Sequence, residues 1–116
     1  MASVILAGVL VVAFTLAGYA KISAQPAMQR AANQLGLSLE SYRAIGAVEL
    51  LGAFGVMIGV LDLFRTVGFL SAGGLFALMV GAIGFHFQAE DEASELAPAA
   101  VMALLTLGYL TAIGLR

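Results

Sequence analysis

The stretch Ala44–Leu61, AIGAVELLGAFGVMIGVL, decides the fold. Its 18 residues carry one charge, Glu49. A helix rises about 1.5 Å per residue and a bilayer's hydrocarbon core is about 30 Å thick, so roughly 20 mainly apolar residues cross it. Just upstream, Ser38 can cap a helix and Glu40 suits its first turn. The span then reads Leu39–Leu61, long enough to cross with some tilt.

Three more uncharged runs flank it. Ala2–Ala20 stops at Lys21, Thr66–Phe85 is followed by His86, and Leu96–Leu115 stops at Arg116. The expected spans are about 2–21, 39–61, 66–87 and 96–115. Lipid offers backbone groups no partner, so helices are the expected form. The first run lacks a basic start and exceeds the 7–15 apolar residues of a signal peptide, so it is expected to stay as a helix. Composition agrees: 62% of residues are hydrophobic and 10% charged, at a mean hydropathy of +1.06. A soluble domain carries about 25% charged residues. An ordinary soluble enzyme domain and a disordered tail are excluded. With a net charge of -2 there is no electrostatic footprint for nucleic acid. The absence of cysteine removes disulfides, thiolate metal sites and thiol exchange, and a lone histidine supplies no usual zinc or haem ligand set. Residues 1–116 read as one domain.

Between the first two spans, Pro26 suits a helix's first turn. Met28, Ala31, Ala32 and Leu35 share one face; Gln29, Arg30, Asn33 and Gln34 fill the other, and Gly36 is placed to stop the helix. This predicts a short amphipathic helix at the lipid–water boundary. The turn near Asp62–Arg65 is tight and makes a hairpin. The connection Gln88–Glu95 holds Glu90, Asp91, Glu92 and Glu95 and reads as a solvated acidic loop rather than a cation loop. Lys21, Arg30 and Arg43 on one side face Arg65 and Arg116 on the other; three against two leaves the orientation open.

Small residues line the spans. Gly52, Gly55 and Gly59 mark the second; Gly73, Ala77 and Gly81, with Gly84 nearby, mark the third; Ala99, Ala103 and Thr106 mark the fourth. Such stripes let helices approach closely in lipid. The expected fold is all-α: an antiparallel four-helix transmembrane bundle with the amphipathic helix between spans one and two. One stripe could instead mark a homodimer face.

Glu49 lies near mid-depth, where an ionised carboxylate is costly and should be paired, protonated or water-facing. Connectivity brings Lys21, Arg43, Glu49 and His86 into one half of the bundle, with Tyr19 and Tyr42. If the Gly73–Ala77–Gly81 stripe faced inward, His86 would turn partly outward. A helix-end lysine also snorkels to the headgroups, and a membrane glutamate can be a structural lock.

Gly18-Tyr-Ala-Lys21, Ile45-Gly-Ala-Val-Glu49-Leu-Leu-Gly-Ala-Phe-Gly55 and Gly81-Ala-Ile-Gly-Phe-His86 together resemble the DoxX-like family of small four-helix membrane proteins, over about Val4–Leu115. The resemblance implies a bundle shaped like vitamin K epoxide reductase, ties to membrane redox complexes such as thiosulfate:quinone oxidoreductase, a bacterial inner-membrane location, and a polar trio of Lys21, Glu49 and His86. Vitamin K epoxide reductase chemistry needs paired cysteines, which this chain lacks.

No catalytic residue or metal site is assigned, and the chain leans away from enzymes. Three readings follow. The first is a non-catalytic assembly, chaperone or accessory subunit, partnered by the bilayer and by copies of itself or a larger membrane complex. The second is a binder of a quinone or other lipophilic molecule at a cluster of Lys21, Glu49, His86, Arg43 and Tyr19, with Phe54, Phe76, Phe85 and Phe87 available to line it; no other cofactor is expected. The third is a proton-coupled small transporter, ranked last.

Overall fold

A computed structural model describes residues 2–23, 26–88 and 93–114. Among them are five α-helices: α1 (Ala2–Ser23), α2 (Pro26–Gln34), α3 (Leu39–Ile58), α4 (Arg65–Gln88) and α5 (Ala93–Gly114). Four of them are long and apolar enough to cross a membrane. At about 1.5 Å per residue the 24 residues of α4 cover about 36 Å, more than the hydrocarbon thickness. Large apolar side chains such as Leu16, Leu51, Leu70 and Leu104 are exposed on the outer surface. That surface fits lipid, not water.

Each long helix packs on two neighbours, in the cyclic order α1, α3, α4, α5. Gly52 faces Leu75, Gly55 faces Ser71 and Gly59 faces Gly68, so α3 and α4 run in opposite directions. Arg65 reaches Ile113 and Gly68 meets Tyr109, so α4 and α5 do too. The core runs through Leu10, Phe14, Ala53, Val56, Ala72, Leu75, Tyr109 and Ile113. The second-span glycines and the row of Ala99, Ala103 and Thr106 lie in this packing, as their spacing predicts.

The third span departs from expectation. Its buried face is Gly68, Ala72, Leu75 and Met79. Ala77, Gly81 and Gly84 are exposed, and a Cβ on Gly73, Gly81 or Gly84 would meet nothing within 4 Å. The stripe therefore lies off the packed face of the helix, with Ala77 and Gly81 at the rim of a cavity described below. Both faces of α4 are apolar and both carry small residues, so periodicity alone does not choose between them.

The element ends follow from local chemistry. The Ser38 hydroxyl accepts from the Ser41 N–H at 3.1 Å and caps α3. Gly36, at φ 74°, ends α2: Leu37 N–H donates to the Ala32 carbonyl at 2.9 Å and Gly36 N–H to Asn33 at 3.1 Å. α3 stops at Ile58, three residues before the expected Leu61, because the chain turns at Gly59 and then tightens into a 3-10 turn at Asp62–Phe64. α5 starts at Ala93, three residues earlier than expected, so Pro98 stands inside it. Of the acidic connection, residues 89–92 lie outside the described residues, as do Leu115 and Arg116.

Candidate functional site: a cavity with a buried ion pair

Two glycines set the site's geometry. A Cβ on Gly18 would stand 2.6 Å from the Gly46 carbonyl oxygen, and one on Gly46 would stand 2.7 Å from both the Gly18 oxygen and Lys21 Cβ. Real side chains do not fit at such distances, so α1 and α3 touch backbone to backbone here. One turn past Gly18, Lys21 continues the buried face of α1 and lays its stem against Gly46. One turn past Gly46, Glu49 continues the buried face of α3 with Ala53 and Val56. The lysine's four-carbon stem spans that offset, and Lys21 Nζ lies 2.7 Å from Glu49 Oε1.

Glu49 is 1% exposed and Lys21 18%. At that separation the contact is a close, charge-assisted ion pair. The Lys21 ammonium also sits 5.4 Å from the centre of the Tyr42 ring, within cation–π reach.

Beside the pair lies a cavity of about 670 Å³. Phe14 and Ala17 of α1, Ile45 of α3, Leu78, Ala82 and Phe85 of α4, and Pro98 and Met102 of α5 form its apolar wall. Met28, Leu35 and Leu37 close it on the α2 side, and Lys21, Tyr42, Glu49 and His86 supply the polar atoms. Ala77 and Gly81 also line it and are exposed, so the cavity opens sideways along α4, partway down the span. The volume matches small-molecule sites, which are concave, mainly apolar and furnished with a few polar groups.

Lys21, Glu49 and His86 all line this cavity, and Lys21 and Glu49 are in contact. His86 lies seven residues past Met79, two helical turns on and on the same buried face. Once the glycine stripe points out, the imidazole turns in. Tyr19 is 66% exposed and Arg43 is exposed, and neither lines the cavity. Of the aromatics, Phe85 lines it, Phe76 packs on the core, and Phe54 and Phe87 face outward. The sequence reading did not foresee α2 as part of the wall; the signal was there in Met28 and Leu35, apolar residues one face apart from the polar ones. It also did not foresee Arg65, whose guanidinium donates to the Ile113 carbonyl, 3.1 Å from Nε, and closes the far end of the bundle.

A bundle of four membrane-crossing helices around a side-opening cavity defines a small multi-pass membrane protein. The chain belongs to the DoxX-like family, whose model matches residues 5–108. Neither the search of curated proteins nor that of solved structures finds a match.

Proposed function

We propose that this protein holds one lipophilic small molecule, a quinone or a lipid-like compound, in the cavity beside the Lys21–Glu49 pair, and does so as a non-catalytic module of a bacterial inner membrane. The single supporting observation is the cavity: about 670 Å³, mainly apolar, open sideways, with the Lys21–Glu49 pair on its wall. A structural lock would explain the ion pair but not the space next to it, since lipid-embedded helices are held by close packing.

Native mass spectrometry of protein released from a mild nonionic detergent is the test. A co-purifying lipophilic adduct is expected, and Ala17→Phe or Ala82→Phe, which fill the cavity, should remove it. Protein that is always empty and takes up none of a set of added amphiphiles would end this reading.

The accessory-subunit reading has a support of its own. The outward face of α4 is bare of side chains at Gly73, Gly81 and Gly84, a surface on which another helix can seat closely. With no native cysteine, a Gly81→Cys variant gives a clean cross-linking assay in native membranes. A cross-linked partner supports assembly; its absence at Gly73, Gly81 and Gly84 alike would remove the reading.

A further inference from the structure

We infer that the cavity takes an uncharged amphiphile with a carbonyl or hydroxyl head, and rejects carboxylate, phosphate and ammonium heads; this rests on the ligand-binding reading above. Its charge balance carries the argument. Among the described residues, the acid and the lysine on the cavity wall are Glu49 and Lys21, 2.7 Å apart and already engaged with each other, with the His86 imidazole on the same wall. Arg43, the nearest further cation in sequence, is exposed and stands off the wall. An anionic head seated at the pair would have to lie against the Glu49 carboxylate or pull Lys21 away from it. A cationic head would have to displace Lys21. Either leaves one charge of the pair alone in an apolar wall, where an unpaired charge is strongly unfavourable.

A neutral oxygen meets no such conflict. An ammonium has three N–H donors and no acceptor. Among the described residues, Glu49 is the one acidic partner of Lys21, and the Tyr42 ring is its other contact. A carbonyl oxygen can take a remaining N–H while the pair stays intact. A hydroxyl oxygen can accept from Lys21 in the same way. The tail then lies along Phe14, Leu78, Phe85 and Met102 and leaves past Ala77 and Gly81.

The test uses the whole chain in nonionic detergent and probes of matched tail: methyl dodecanoate, a decyl-benzoquinone, dodecanoate, dodecylammonium and dodecane. Affinity is read by titration in native mass spectrometry and by the shift in thermal unfolding. Methyl dodecanoate, the benzoquinone, or both should bind at least about tenfold tighter than dodecanoate, dodecylammonium or dodecane. Which of the two neutral probes wins distinguishes a quinone from a neutral lipid. Glu49→Gln leaves Lys21 without its anion, so this variant should gain affinity for dodecanoate. Dodecanoate, dodecylammonium or dodecane matching the tighter-binding neutral probe in the natural chain overturns the inference while leaving a ligand site in place. Binding of none of the probes removes the ligand reading itself. If Glu49→Gln does not fold, the comparison of the tighter neutral probe with the carboxylate in the natural chain decides alone.

Discussion

Removing Lys21 and removing Glu49 are not equivalent changes, because the carboxylate is 1% exposed and the ammonium 18%. Lys21→Met strands a buried anion and should cost about 3–5 kcal/mol, the usual penalty for breaking one side of a buried pair. Glu49→Gln leaves a partly exposed lysine near a helix end, whose long stem can carry its charge toward the headgroups. Thermal unfolding in detergent should therefore rank Lys21→Met well below Glu49→Gln, and the double change to methionine should recover much of the loss. Equal losses for the two single variants would show that the pair's burial does not control its energetics. That Glu49 needed a partner was legible in the sequence, since an isolated charge at mid-depth is not. That Lys21 rather than Arg43 is the partner was not: both lie within reach by connectivity, and the choice falls out of the Gly18–Gly46 crossing.

At the scale of helices, the same residue type has opposite meanings on two faces. Gly46 sits where a Cβ would stand 2.7 Å from backbone, and Gly81 where it would meet nothing. Gly46→Val should wedge α1 from α3 and cost about 1–3 kcal/mol, whereas Gly81→Val should leave the isolated chain's unfolding midpoint unchanged or raised, valine being the better helix former of the two. A destabilising Gly81→Val would mean that face is covered. Arg65→Met removes the cation at the carboxyl end of α5. Charged hydrogen bonds contribute about 1.5–3 kcal/mol, and faster amide exchange confined to the last turns of α5 should report the loss. The four spans themselves were readable, because hydrocarbon thickness fixes their length. The rotation of α4 was not. In water a helix shows its buried side by polarity; in lipid Gly68, Ala72, Leu75 and Met79 look no more interior than Gly73, Ala77, Gly81 and Gly84.

For the molecule as a whole, α2 matters beyond its length. Met28 of this helix and Leu35 just past its end close one side of the cavity, and Ala32 is buried. Met28→Asp would set a charge in that wall. It should weaken capture of the ester probe severalfold while shifting the global unfolding midpoint little, since the bundle core of α1, α3, α4 and α5 does not depend on it. A large loss of stability in that variant would make α2 a brace instead of a cover.

The sideways mouth at Ala77 and Gly81 has a consequence for how any such ligand is supplied. A compound dissolved among acyl chains is concentrated there over the aqueous phase by its partition coefficient. The concentration that governs occupancy is then a mole fraction in the bilayer. Apparent dissociation constants expressed per litre of sample should rise in proportion as more lipid is added at fixed protein, while the constant expressed per lipid stays the same.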